Sequence, residues 1–127
     1  MKYISLIERE ICGFLTKKLD RNLYSKNIVF AVEPGRLQLC GIRQYTAFLY
    51  CCKLASKLFR EREVRVLRLS GGSEEVKARV EVQLVSYFND LREITFDSKY
   101  FIADGKIVKH TVSDISTRSL KVLLDST

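Results

Sequence analysis

No pattern in the sequence restricts the fold more than Asp104-Gly105, which separates the β-rich runs KYFIA and KIVKHTV. Asp-Gly between two such runs is a strong signal for a two-residue turn, so residues 99–112 are predicted to form a β-hairpin. A second hairpin is predicted over residues 27–42, where NIVFAV and RLQLCGI flank Pro34-Gly35. Proline presets the backbone angle at one turn position, and glycine permits positive φ at the next. The two hairpins predict an antiparallel sheet.

Helices are predicted on both sides of the first hairpin, over residues 3–21 and 43–62, because apolar residues recur there at helical spacing. The run VRVLRLS at 64–70 predicts a strand, and residues 114–125 predict a short terminal helix. Residues 73–93 fit two interpretations. The alternation of Ala78, Val80, Val82 and Leu84 indicates a strand, whereas the capping signal at Ser73 and the length of the segment favour a helix. We take the helix as the prediction.

These elements predict an α+β fold in a single domain that covers residues 1–127, a chain long enough to bury its own core. An isolated hairpin is marginally stable in water. We therefore expect the hairpin at 99–112 to dock onto the edge of the three strands predicted in residues 28–70 of the same chain and to supply the missing strand of one antiparallel sheet. The predicted helix at 73–93 would make the crossover, and pairing with a second copy of the chain is the alternative.

The charge of the chain is high and uneven. The formal net charge is +7, and residues 1–70 hold 14 Lys and Arg against 6 Asp and Glu. An excess of this kind favours a polyanionic partner. The sequence holds no long uncharged apolar run, which argues against a membrane span. Early charges in MKYISLIEREIC argue against a secretory signal, so we expect a cytoplasmic protein.

Neither the cysteines nor the histidine form a pattern typical of a metal site or an enzyme. Cys12, Cys40, Cys51 and Cys52 include no CxxC pair, and His110 is the single histidine. We predict buried free thiols, no metal and no cofactor, with a Cys12–Cys40 disulfide left open. His110 is expected to be packed or solvent-facing on a strand. The absence of a catalytic constellation predicts that the protein is no enzyme.

Basic residues of the second predicted helix are candidates for contacts with phosphate groups. Arg43, Tyr50, Lys53, Lys57 and Arg60 share one side of that helix, where the cations would meet phosphates and the tyrosine could stack on a base. The following strand adds Arg65 and Arg68. The loop Ser70-Gly71-Gly72-Ser73 would bind an anion through backbone N–H groups if it opens a helix.

Three segments resemble the small ribonuclease P protein subunit family of archaea and eukaryotes, the Pop-five and Rpp-fourteen proteins. They are IVFAVEPGRLQLCGI, RQYTAFLYCCKLASKLF and VRVLRLSGGSEEVKARV, and they would make this chain a divergent archaeal-type member. The resemblance implies an RRM-like antiparallel sheet packed by helices, here with an extra C-terminal hairpin and helix. It also implies ribonuclease P RNA, a TIM-barrel-like protein subunit and a second copy of the chain as partners. Ser70, Gly71, Gly72, Lys77 and Arg79 would then face the RNA.

The predicted function is therefore that of a non-catalytic RNA-binding subunit of a ribonucleoprotein, which supports removal of the 5′ leader from precursor tRNA. The alternative is a protein–protein interaction or regulatory module, viral or cellular, without RNA binding. A third class, a small nuclease, would need a carboxylate cluster that the sequence does not show. The predicted RNA-binding residues are Arg43, Tyr50, Lys53, Lys57, Arg60, Arg65, Arg68, Ser70, Gly71, Gly72, Lys77 and Arg79.

Overall fold

The computed structural model describes residues 2–121, which form two α-helices, one short 3₁₀ helix and six strands. In chain order these are α1 (Lys2–Gly13), the 3₁₀ helix (Arg21–Leu23), β1 (Tyr24–Val32), β2 (Leu37–Cys40), α2 (Ile42–Ser56), β3 (Glu61–Gly71), β4 (Glu75–Val85), β5 (Asp90–Ala103) and β6 (Lys106–Lys121). Among these residues, neither helix has the length and apolar character that crossing a bilayer requires.

All six strands belong to one mixed sheet with the order β2-β1-β6-β5-β4-β3. β1 and β6 run parallel, and every other neighbouring pair runs antiparallel. The register between β5 and β6 shifts after Thr95 and again after Phe101. Extra residues of this kind bend a strand and increase its twist, so the long central strands curve.

The two helices cover different parts of the same face of the sheet. α1 packs against β3 and β4, whereas α2 packs against β1 and β2. Alternation along β4 shows how the sequence builds that face, because Val76, Ala78, Val80, Val82 and Leu84 are all buried while the residues between them are not. A period of two places such residues on one side of a strand. The sheet, α1 and α2 therefore surround a common interior.

The two predicted hairpins are confirmed, and both are part of longer strands. β1 and β2 pair from Val29↔Cys40 to Val32↔Leu37, and β5 and β6 pair on both sides of Asp104-Gly105. The expected contact between the second hairpin and the first is also present in the same chain, since Phe30 pairs with His110. That contact is parallel rather than antiparallel, because β3 runs in the same direction as β2 and three antiparallel turns then lead to β6. The second hairpin also lies inside the sheet, between β1 and β4, rather than on the edge of the first three strands.

The RRM-like fold with a helix at 73–93 and an extra C-terminal helix is wrong. Residues 75–85 and 90–103 are strands, and β6 continues through residues 114–121; the remainder of the predicted helix at 114–125 lies outside the described residues. The β-branched alternation from Ala78 to Leu84 overrode the capping signal of Ser73, which lies in the β3–β4 turn. α1 also ends at Gly13, well before the predicted end at residue 21.

Candidate functional site

A cavity of about 1180 Å³ lies between the inner face of the sheet and the two helices. Its volume exceeds the range of roughly 300–1,000 Å³ that is usual for small-molecule pockets. The lining is mainly aromatic and aliphatic. The sheet contributes Phe30, Val32, Val82, Leu84, Ile94, Phe96 and Val112, and the helical side contributes Ile11, Phe14, Leu15, Phe48, Leu49 and Phe59. The interior is therefore suited to an apolar molecule.

His110 is the central polar group of this interior. It lies on β6 directly opposite Tyr100 of β5 and pairs with Phe30 of β1, so the three side chains form a row across adjacent strands. The Tyr100 ring stacks on the imidazole with 4.1 Å between ring centroids. The Tyr45 hydroxyl on α2 lies 2.9 Å from Nδ1, and the Ser98 hydroxyl lies 3.1 Å from Nε2. Both ring nitrogens are thus hydrogen-bonded.

A second polar pair borders this network. The Tyr24 hydroxyl donates to Oε1 of Glu10 at 3.2 Å, and the Asp20 backbone N–H donates to the same oxygen at 3.3 Å. The rings of Tyr24 and Tyr45 approach to 5.3 Å between centroids. Within residues 2–121, no buried side-chain nitrogen or oxygen is left without a hydrogen-bond partner. The polar groups of the cavity are therefore held in place by one another.

Burial keeps His110 and the three tyrosines of this site uncharged. Desolvation lowers the pKa of His110 to about 3, so its imidazole is neutral at pH 7. Desolvation also raises the pKa of Tyr45 well above its usual value, and the neighbouring Tyr24 hydroxyl offsets part of that effect. Burial raises the pKa of Tyr24 and Tyr100 in the same way. The site offers neutral donors and acceptors to a ligand, and one ring nitrogen accepts while the other donates.

The structure separates the residues predicted for one face of α2. Arg43, Tyr50 and Lys53 line the cavity, whereas Lys57 is exposed at the end of the helix and does not line it. Arg60 lies beyond the helix, where it forms an ion pair with Glu61 at 2.7 Å. α2 ends at Ser56, which is why the predicted continuous face does not form.

Most of the predicted cations of the strands are paired with carboxylates. Arg65 contacts Glu81 at 2.6 Å, Arg79 contacts Asp97 at 2.9 Å, and Lys77 lies 3.8 Å from Glu75. The hydrogen bond from Arg79 is the main reason why the pKa of Asp97 is lowered. Arg68 is exposed on β3. These ion pairs reduce the positive charge that the predicted RNA surface would need.

The predicted phosphate cradle at Ser70, Gly71 and Gly72 is a hairpin turn. The chain continues into β4 rather than into a helix, so no helix N-terminus faces an anion there. Gly71 has φ +145°, and a Cβ on it would lie 2.6 Å from the Cα of Val76 and closer still to the Glu75 carbonyl oxygen. The glycine therefore permits the close approach of two strands, which is its structural role.

All four cysteines are less buried than predicted. Cys12, Cys40 and Cys51 are exposed, Cys52 is half-buried, and all four are free thiols. Within residues 2–121, no three His, Cys, Asp or Glu side chains are grouped as metal ligands. The prediction left open whether His110 is packed or solvent-facing; the structure buries it on the same side of β6 as Val112.

Comparison with solved structures gives the fold. The chain superimposes on an NTF2-like protein of unknown function from Cytophaga hutchinsonii with a TM-score of 0.71 at 7% identity, which covers 89% of this chain and 97% of that one. An LEH-like epoxide hydrolase of M. tuberculosis gives 0.66 at 13%, with 87% and 80% covered. A protein with a ketosteroid isomerase-like fold from Catenulispora acidiphila, in complex with trimethylamine, gives 0.64 at 6%, with 84% and 82% covered.

No protein-family model and no curated protein matches the sequence. The resemblance to ribonuclease P subunits is wrong, because the similar structures are of another fold and the quoted segments form a hairpin, a helix and a second hairpin of a six-stranded sheet. The predicted RNA-binding function and the RNA, TIM-barrel-like and second-copy partners lose their basis with it. The alternative of an interaction module gains no support from these structures. The chain has the NTF2-like fold, a curved six-stranded sheet closed by two helices.

Proposed function

We propose that the protein binds a small, largely apolar organic molecule in the cavity between the sheet and the helices. The observation that carries this proposal is a space of about 1180 Å³ whose apolar walls surround a few neutral, internally hydrogen-bonded polar groups. Ligand pockets typically combine a wide apolar lining with a small number of fixed polar groups. A bound molecule would pack on Phe30 and Phe96 and exchange a hydrogen bond with Tyr45 or Ser98.

The charge states of the groups in the cavity support binding without catalysis. A pKa of about 3 leaves about one His110 imidazole in ten thousand protonated at pH 7 and makes it a weak base. The acidic side chains that line the cavity, Glu10 and Asp20, both lie on the helical side. Glu10 already accepts the hydrogen bond of Tyr24, and Asp20 accepts one from the backbone N–H of Asn22.

Catalysis is the second candidate function, because the NTF2-like fold hosts enzymes such as the epoxide hydrolase named above. Tyr45 and His110 would be the residues concerned, since their hydrogen bond of 2.9 Å could pass a proton. Turnover of an epoxide or a ketone that stops in both Tyr45→Phe and His110→Gln would favour this candidate over simple binding.

Calorimetric titration with 1-decanol tests the proposal in a cavity-filling variant. Val112 lines the cavity opposite Ser98, so Val112→Phe should occupy the space beside His110 and weaken binding at least tenfold. Because the added ring fills an existing space, the thermal midpoint should stay the same or rise. Val108→Phe is the matched control, since Val108 is half-buried on the same strand but does not line the cavity. Equal binding by both variants would contradict the proposal.

We propose that residues 1–127 act as a single domain and that the protein works in the cytoplasm. Fractionation of cells that express the tagged protein would test the second of these.

A further inference from the structure

We propose that the ligand is an amphipathic organic anion, with an apolar body inside the cavity and a carboxylate at its rim. This inference rests on the proposed function and names the chemical class of its ligand. It starts from a contrast between two parts of the same cavity, an uncharged interior and a strongly basic border.

The border of the cavity holds six cations and two acids. The cations are Arg9, Lys17, Lys18, Arg21, Arg43 and Lys53, and the acids are Glu10 and Asp20. The formal excess is therefore four positive charges, which is over half of the net charge of +7 on the whole chain. Cations that converge on one opening raise the local concentration of anions and accelerate their association.

The ion pairs of the protein leave these cations available to a ligand. The five ion pairs of the described residues involve Arg60, Arg65, Lys77, Arg79 and Arg118, so every one of them lies away from this border. The two acids are engaged elsewhere, as Glu10 accepts from Tyr24 and Asp20 accepts from the Asn22 backbone N–H. None of the six border cations forms an ion pair within residues 2–121, so the excess of four positive charges remains available to a ligand.

The interior determines which end of the ligand enters. A carboxylate beside neutral His110 and Phe96 would lose its hydration without meeting an opposite charge, which is strongly unfavourable. The same carboxylate at the border would stay hydrated and lie near lysine or arginine. Lys53 is half-buried on α2 and lines the cavity. Because a lysine can cover apolar surface with its stem while its ammonium stays in water, this residue suits both the apolar body and the charged head.

Calorimetric titrations with decanoate and 1-decanol test the inference, since these two probes differ only in the head group. We expect decanoate to bind about tenfold more tightly at low salt, because several exposed cations each contribute a small attraction. The difference should shrink as salt rises. Equal affinity for both probes would overturn the inference and leave the proposed function standing, whereas binding of neither probe would contradict the proposed function.

A charge reversal locates the effect. Lys17→Glu/Lys18→Glu changes two exposed border cations and should weaken decanoate binding about tenfold while leaving 1-decanol binding within about twofold. Lys26→Glu/Arg36→Glu is the matched control, because it makes the same change in net charge at exposed positions that do not line the cavity. An equal loss of decanoate binding in both variants would show a general charge effect and overturn the inference.

Discussion

The burial of His110 predicts that acid destabilises the protein through this one side chain. The imidazole has a pKa of about 3 in the folded chain and about 6.5 in the unfolded chain. The unfolded state therefore binds a proton below pH 6.5 that the folded state refuses. The protein therefore has its full stability, as far as His110 is concerned, above pH 6.5, and loses part of it as the pH falls towards 3.

The size of this effect follows from the two pKa values. At pH 4.5 the histidine is protonated in the unfolded chain and neutral in the folded chain. This pH lies two units below the ordinary imidazole pKa of 6.5. At about 1.36 kcal/mol per unit, the free energy of unfolding should be lower by about 2.7 kcal/mol at pH 4.5 than at pH 7.5 from this residue alone.

Urea unfolding at pH 7.5 and 4.5 measures the effect in wild type and in His110→Gln. Carboxylates also titrate in this interval. The loss of unfolding free energy between the two pH values is therefore compared between wild type and the variant. The variant should lose about 2–3 kcal/mol less than wild type on acidification. An equal loss in both, or an NMR titration in which the single histidine protonates near pH 6.5, would refute the burial of His110.

Three further predictions concern the network, the β3–β4 turn and the cysteines. Tyr45→Phe leaves a ring nitrogen of His110 without its partner and should cost about 1–3 kcal/mol of unfolding free energy, whereas Tyr50→Phe, at a side chain of the cavity border that is 58% exposed, should cost less than about 0.5 kcal/mol. Gly71→Ala should lower the thermal midpoint because its Cβ collides with β4, while Gly72→Ala has nothing within 4 Å and should be tolerated; equal midpoints would contradict the turn geometry. Cys52 should react with a thiol reagent more slowly than the three exposed cysteines, because it is half-buried and burial also raises its pKa. Since Cys52 lines the cavity, bound decanoate should slow its reaction further.

Local signals in the sequence predicted the hairpins but not the sheet that contains them. Asp104-Gly105 and Pro34-Gly35 specify turns through their own backbone preferences, so each could be read from a few residues. The parallel pairing of β1 with β6 joins residues about 80 positions apart, such as Phe30 and His110. No short-range pattern reports such a pairing, which is why the order of the strands could not be predicted.

The segment at 73–93 shows how a local signal can mislead. Ser73 and Glu74 are typical of a helix start, yet they occupy a turn between two long strands. The alternating β-branched residues that follow pack on the inner face of the sheet, and their burial outweighed the capping preference. The same error turned Gly71-Gly72 into an apparent anion site and supported the resemblance to ribonuclease P subunits.

The candidate site could be recognised only in part from the sequence. The basic excess of residues 1–70 predicted a polyanionic partner, whereas the structure places six of these cations among the residues that line an apolar cavity. The polar network joins Tyr45, Ser98 and His110, which come from α2, β5 and β6. These residues carry no motif, because their chemistry arises from the fold that brings them together.

The imidazole of His110 offers the most direct test of the cavity as a binding site. It is the single histidine of the chain and lies in the cavity wall, so its NMR signals report on that interior without ambiguity of assignment. Titration with 1-decanol or decanoate should move these signals in a saturable manner at one molecule per chain, and in Val112→Phe the same movement should need at least tenfold more probe. Signals that stay in place with both probes, or that move equally in Val112→Phe, would contradict the account.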